Sequence, residues 1–394
     1  MRSAVTVTCG GASSGRDEQG TLITRGGELA DREFGTIRLA AVQAAPVFLN
    51  RDASVEKACR LIREAGEGGA EVIGFPEGFI PAHPVWFHFH PVLSPESLEW
   101  GTELFKNSVE IPSPVTEALC EAAREADAYV VMGLCERRPG TTGTMYNTQL
   151  FIHREGRIMG KHQKIRPTIG ERLVHTGGFG DTMRAYESEF GPISGLICGE
   201  NQNPLAVFTL AADSTVVHVS SWPHFFQKGW HTMGEVADLA SRALSYMAKC
   251  FVINACGTID KTMLEVLPAS EEDRAFLEDP ANLGGSSIIA PDSRVIAGPL
   301  GAEEGILYAD ADLDLAVRSK LFHDFAGHYN RPDVFELRIN TERPELLRRG
   351  PAERANAPGG QGHGRGLEEM DVPGQASRRT LQGESSESER DGVD

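Results

Sequence analysis

Cys198, Glu77 and Lys164 each stand just past a strand-like segment, and together they bring the parts of a covalent catalyst. Cys198 closes the run Ile193-Ser194-Gly195-Leu196-Ile197, and Gly199-Glu200-Asn201 leads on to Pro204-Leu205-Ala206-Val207-Phe208. That order reads as strand, tight elbow, helix. Such an elbow lifts one side chain clear of the strand and sets it against N–H groups at a helix start, whose partial positive charge favours a thiolate. Val72-Ile73-Gly74-Phe75-Pro76-Glu77 puts a carboxylate past a second strand, and Gly160-Lys161-His162-Gln163-Lys164 puts an ammonium past a third. A free thiol is only a few per cent ionised at neutral pH, so a nucleophilic sulfur needs an adjacent base or a positive field. Glu77 would be the base and Lys164 the positive charge. Singly, each has a plainer reading as an inert buried thiol, a solvated carboxylate or a surface cation.

The elements that must position them alternate along the chain. Arg38 to Ala44 reads as a strand; Val55, Ala58, Ile62 and Ala65 then recur at helical spacing behind the start signal Asn50-Arg51-Asp52. Glu71 to Phe75 is the next strand, Thr116 to Asp127 a helix, and Tyr129 to Leu134 a strand. Arg154-Glu155-Gly156 reads as the turn of a hairpin, and Pro291-Asp292-Ser293 as the turn of another. Between those hairpins come a strand at Thr215 to Val219, a long helix around Thr232 to Lys249 and a strand at Phe251 to Asn254. This alternation argues an α/β layered domain over residues 35–341. Residues 1–34 read as a flexible arm and 342–394 as a disordered tail, both polar and rich in glycine.

Bulk properties narrow the field. The 394 residues carry a formal net charge of −18, which argues against nucleic acid or an anionic membrane as partner, because both need concentrated Lys and Arg. Seven scattered cysteines suggest a reducing, cytoplasmic setting rather than a disulfide framework. No apolar stretch is long enough to span a bilayer. His83, His88 and His90 lie close together, the last two spaced as on one face of a strand, yet no Cys or carboxylate has the spacing of a metal site. With Trp86, Phe87 and Phe89 interleaved, the segment reads as lining or covering a pocket near Glu77. Gly177-Gly178-Phe179-Gly180 reads as a turn, too short for a dinucleotide fingerprint.

Three segments resemble the active-site motifs of the nitrilase (carbon–nitrogen hydrolase) superfamily, in that family's order. They are Phe75-Pro76-Glu77-Gly78-Phe79-Ile80-Pro81, Lys164-Ile165-Arg166-Pro167-Thr168-Ile169-Gly170-Glu171-Arg172 and Cys198-Gly199-Glu200-Asn201. The resemblance runs from about Ile37 to about Leu337 and is strongest to the nitrilase branch. It implies a four-layer α-β-β-α sandwich, a Glu77–Lys164–Cys198 triad, and hydrolysis of an organic nitrile to an acid and ammonia through a thioimidate and a thioester. No metal or organic cofactor is implied. Glu171 matches a second family glutamate, which would orient Lys164 or the substrate; a salt bridge to Arg172 or another cation is the other reading. The resemblance also implies a homo-oligomer, a dimer or a larger spiral, with the late segment through Phe335 in its packing surface. One residue departs from the pattern: the branch usually has Trp after the nucleophile, and here Gly199 stands there. An amidase or nitrile-hydrating activity, releasing the amide, is the close alternative; a catalytically idle assembly module is the distant one.

Overall fold

The computed structural model describes residues 34–344 and Leu347, with two paired strand pieces, Gly15–Arg16 and Leu22–Ile23. The expected arm over 1–34 and tail over 342–394 lie almost wholly outside the described residues. The chain divides into two units, Met1–Pro344 and Glu345–Asp394, and the fold below belongs to the first.

Its first half runs β1 (Thr36–Gln43), α1 (Arg51–Glu67), β2 (Val72–Gly74), α2 (Pro95–Asn107), α3 (Pro114–Ala126), β3 (Tyr129–Arg137), β4 (Met145–His153) and β5 (Arg157–Gln163). The second half runs β6 (Ile193–Ile197), α4 (Pro204–Ala212), β7 (Val217–Trp222), α5 (Met233–Ala248), β8 (Phe251–Cys256), α6 (Lys261–Val266) and α7 (Glu271–Glu278). It ends with β9 (Ser287–Ile289), β10 (Val295–Ala297), β11 (Gly305–Asp312) and α8 (Asp314–Phe322). The start signal before α1 holds: the Asn50 side chain accepts from the Ala53 N–H and caps the helix.

Six strands form one sheet in the order β11-β1-β2-β3-β4-β5, and five form another in the order β10-β9-β8-β7-β6. Within them β1, β2 and β3 are mutually parallel, as are β6, β7 and β8; the hairpin strands join antiparallel. Strand periodicity decides the layering, because successive side chains point to opposite faces. Leu39, Ala41, Val72 and Val131 project toward Val217, Val219, Phe251 and Ile253, so the two sheets pack face to face. Ala40, Val42, Ile73 and Val130 point the other way, onto Ala58, Ile62 and Ala65 of α1 and Leu119 and Ala123 of α3. Leu196, Val252 and Ile289 cover the outer face of the second sheet and meet Leu210 of α4 and Leu244 of α5. The result is the expected helix, sheet, sheet, helix sandwich.

The C-terminal ends of β2, β5 and β6 lead directly to Glu77, Lys164 and Cys198. Gln149 of β4 ties the two sheets together, its Nε2 donating to Val219 O (3.0 Å) and Ser221 Oγ (2.8 Å). Ser221 Oγ in turn donates to Phe75 O (2.7 Å), two residues before Glu77.

Candidate active site

Glu77 leaves β2 by a short loop whose backbone is pinned to both sheets: Phe75 N–H donates to Val131 O (2.9 Å) and Glu77 N–H to Trp222 O (3.1 Å). The loop crosses β3 closely. A Cβ at Gly133 would collide with Pro76 O, so glycine is required there. Lys164 follows directly on β5, with its N–H on Asn147 O (2.8 Å). Glu171 sits in a 3₁₀ turn, Ile169–Leu173, and accepts from the Thr168 N–H through Oε2 (2.8 Å).

Three side chains remote in sequence then converge in a buried cluster. Lys164 Nζ donates to Glu77 Oε1 and to Glu171 Oε2, both at 2.7 Å. Asn147 Nδ2 bridges the same carboxylates, donating to Glu77 Oε1 (2.6 Å) and Glu171 Oε1 (2.7 Å). Exposure is 1% or less for Glu77, Lys164 and Glu171. Glu171 therefore pairs with Lys164, while Arg172 Nε turns to Pro167 O (3.0 Å). Oε1 of Glu77 is saturated. Its Oε2 is buried and has no hydrogen-bond partner among the described residues, which leaves one basic oxygen free.

Burial favours the neutral acid for both glutamates and is the largest single influence, but Lys164 and His83 together, with His175 beside Glu171, overcome it: Glu77 titrates below the usual carboxylate value and Glu171 well below it. Burial likewise opposes the Lys164 charge, and Glu171 then Glu77 overcome it, so its pKa lies well above that of a free lysine. Glu77, Lys164 and Glu171 are thus all ionised at neutral pH.

Cys198 sits on the expected elbow. A 3₁₀ turn, Cys198–Gln202, links β6 to α4, and Cys198 itself has φ +53°, an unfavourable region for a residue with a Cβ. The elbow is held from both sides. Glu200 accepts from Ile197 N–H (3.1 Å) and, through its other oxygen, from Ile165 N–H (2.7 Å), next to Lys164. Asn201 Nδ2 donates to Cys198 O (2.9 Å), and its Oδ1 accepts from Ser220 Oγ (2.9 Å). The Gly199 N–H of the elbow does favour a thiolate, as expected, and Lys164 favours it too, but burial and then the negative charges of Glu77 and Glu171 outweigh them and push the thiol up. The resting sulfur is a neutral thiol under the field of Glu77, Lys164 and Glu171.

The histidine segment also differs from its reading. It forms a 3₁₀ turn, Val85–His88, not a strand. His83 joins the cluster, with Nε2 3.2 Å from Glu77 Oε1, whereas His88 packs on Phe225 and His90 Nε2 lies 2.9 Å from Leu267 O. Ligand atoms of Glu77, His83 and Glu171 fall within 4.8 Å of one another, but the Lys164 ammonium already bonds to an oxygen of each carboxylate. Phe87 of this segment packs against Gly170 in the Glu171 turn. Gly199 is exposed, and a Cβ there would meet only Thr168 Oγ1, at 3.9 Å. Asn147, His175 (Nδ1 3.1 Å from Glu171 Oε1) and the clamping roles of Glu200 and Asn201 escaped the sequence reading. The available signal was Asn147-Thr148-Gln149, a polar triplet inside a strand that is otherwise apolar.

A six- and five-stranded sandwich with this cluster defines a class. The carbon-nitrogen hydrolase family model matches residues 38–320, and the chain belongs to that family. Its relatives place it in the nitrilase branch. It is 39% identical over 320 residues to "Nitrilase 2" from an unknown prokaryotic organism, covering 80% of this chain and 96% of that one. It is 36% identical over 302 residues to a nitrilase of Bacillus sp. (strain OxB-1), covering 76% and 87%. The crystal structure of a carbon-nitrogen hydrolase from Helicobacter pylori G27 shares the fold, with TM-score 0.59 at 16% identity over 77% of this chain and 98% of that one.

Proposed function

We propose that this chain is a nitrilase that hydrolyses an organic nitrile to a carboxylic acid and ammonia, with Cys198 as nucleophile, Glu77 as base and Lys164 as electrophilic support. One observation carries the assignment of roles: the Lys164 ammonium is clamped at 2.7 Å between Glu77 and Glu171, leaving Glu77 Oε2 unpartnered, and the charges of Glu77 and Lys164 both act on the Cys198 thiol. Because the resting thiol is neutral, its proton must leave as sulfur attacks. Glu77 Oε2 takes that proton, sulfur bonds to the nitrile carbon, and the proton passes to nitrogen to give the thioimidate. Water, deprotonated by Glu77, adds to the same carbon. Proton transfer to the amino group lets ammonia leave and a thioester remain; a second water releases the acid and restores the thiol. Lys164 and the Gly199 N–H face the charge that develops at each tetrahedral stage. Glu171 holds Lys164 in place and neutralises it.

The cytoplasmic setting belongs to the same reading; the six cysteines among the described residues are free thiols, and no helix there is long and apolar enough to cross a membrane. So does a homo-oligomer, for which the exposed apolar side chains of α4, α5 and the segment through Phe335 offer a surface. The test is incubation with aliphatic, aromatic and arylacetic nitriles, with ammonia, acid and amide quantified together. Ammonia and acid in equal amounts are expected. Amide as the main product, or turnover of amides alone, would overturn the reading in favour of the amide-releasing alternative.

A further inference from the structure

The buried cluster has a charge problem that Lys164 alone does not solve. Glu77 and Glu171 bring two negative charges and Lys164 one positive, all essentially out of water. A buried net charge is costly, and the ordinary remedy is for one carboxylate to take a proton. A protonated Glu77 would be useless as a base. His83 lies where a second cation is needed: its ring is 4% exposed, with Nε2 3.2 Å from Glu77 Oε1 and 3.8 Å from Glu171 Oε1. Neither ring nitrogen makes a hydrogen bond among the described residues, so the carboxylates meet His83 at ion-pair distance only.

We propose that His83 is a positioning residue whose imidazolium is the second cation of the Glu77–Lys164–Glu171 cluster and keeps Glu77 ionised as the base. This rests on the nitrilase reading above. The groups facing His83 agree. Glu77 comes from the loop after β2 and Glu171 from the 3₁₀ turn, with Lys164 beyond them. His88 lies further along the same segment, and His175 (ring centroid 6.5 Å away) and His224 approach from two others. Burial lowers His175 and holds His88 at about 4 and His224 at about 3, so all three are neutral and add no competing charge. Burial opposes a charge on His83 as well, but Glu77 and Glu171 overcome it and raise its pKa to about 9. Two cations then balance two anions.

The experiment compares kcat/KM for a nitrile against pH in the native chain, His83→Gln and His83→Ala. Glutamine removes the charge, so Glu77 becomes harder to ionise. The acid limb of the profile should move up by about one to two pH units, while activity on the plateau changes far less. Imidazole, cationic at the pH of that limb, should restore His83→Ala toward the native profile. An unmoved acid limb with activity lowered equally at every pH would show a merely structural role and overturn the proposal. Carbon-13 NMR of histidine-labelled native protein gives a readout free of both turnover and mutation: one imidazole should titrate near pH 9, and none above pH 8 would also overturn it. Such a titration in a chain that leaves all nitriles intact would refute the nitrilase reading while supporting the charge assignment.

Discussion

A neutral thiol beside an ionised carboxylate makes Cys198 dependent on Glu77 for every turnover. Replacing Cys198 with Ala should abolish nitrile hydrolysis and leave the circular dichroism spectrum unchanged; residual activity near the native level would remove the nucleophile from the mechanism. Glu77→Gln keeps the shape but loses the base, and kcat should fall by about 10²–10⁴. The pH dependence has a definite sign. Glu77 titrates below the usual carboxylate value because of Lys164 and His83, so its ionised form persists above that depressed value and is lost only as pH falls through it. The native acid limb should therefore lie below pH 4.5, the ordinary value for a glutamate. Strain at the same residue is separately measurable. With φ at +53°, Cys198 carries a backbone penalty that Gly would not. Inactive Cys198→Gly should thus unfold at higher urea than inactive Cys198→Ala, by about 1 kcal/mol. The reverse order would mean that the elbow is relaxed.

The elbow works as an element because it is clamped to the chain beside Lys164 through Glu200 and to β7, whose Trp222 O holds the Glu77 backbone, through Asn201. Asn201 satisfies Leu196 O (3.3 Å) and Cys198 O (2.9 Å) with one amide and accepts from Ser220; its Oδ1 also lies 2.9 Å from His218 Nε2. Truncation to Ala orphans several buried polar groups at about 1–3 kcal/mol each. Asn201→Ala should lower the urea midpoint and reduce kcat more than it raises KM, since the elbow, not substrate contact, is what moves. Unchanged stability would mean that water replaces the amide. Little of this clamp is legible in the sequence. Glu200 and Asn201 are readable as motif residues, but their partners Ile165, Ser220 and His218 are distant in the chain, and hydrogen-bond pairing across two sheets leaves no local pattern. Elements with strong periodicity and punctuation are legible: β1, β2, both hairpins, and α1 behind its Asn50 cap. The edge strand β11 is not. Gly305 to Asp312 opens with Gly305-Ile306-Leu307-Tyr308 and alternates alanine with aspartate only in its last four residues, and it gains its strand character by pairing with β1 some 260 residues earlier. Glu77 and Cys198 are visible because each follows an apolar run, and Lys164 because it opens the segment 164–172 that resembles a family motif. His83 is ambiguous in sequence because its charge state depends on Glu77 and Glu171, which only the fold brings together.

At the scale of the whole molecule, the first unit has an apolar surface that no described residue covers. Leu205 of α4 and Leu239, Tyr246 and Met247 of α5 are exposed, as are Phe325, Val334 and Phe335. Several of them line a groove of about 780 Å³ that shares no residue with the buried charge cluster. Contiguous apolar surface of this kind is costly in water and marks an association face. A second copy of the chain is the occupant the family reading implies, although each copy carries −18 and so repels the other at long range. Association should therefore strengthen with salt, as screening removes the repulsion while the apolar contact remains. In sedimentation velocity the native chain is expected to run as a dimer or larger species, and more so at 0.5 M than at 0.05 M salt. Leu239→Glu combined with Leu205→Glu should shift it toward monomer, because buried carboxylates would face apolar surface across the contact. A native chain that sediments as a monomer at both salt concentrations, or a double variant that assembles as the native does, would take α4 and α5 out of the interface.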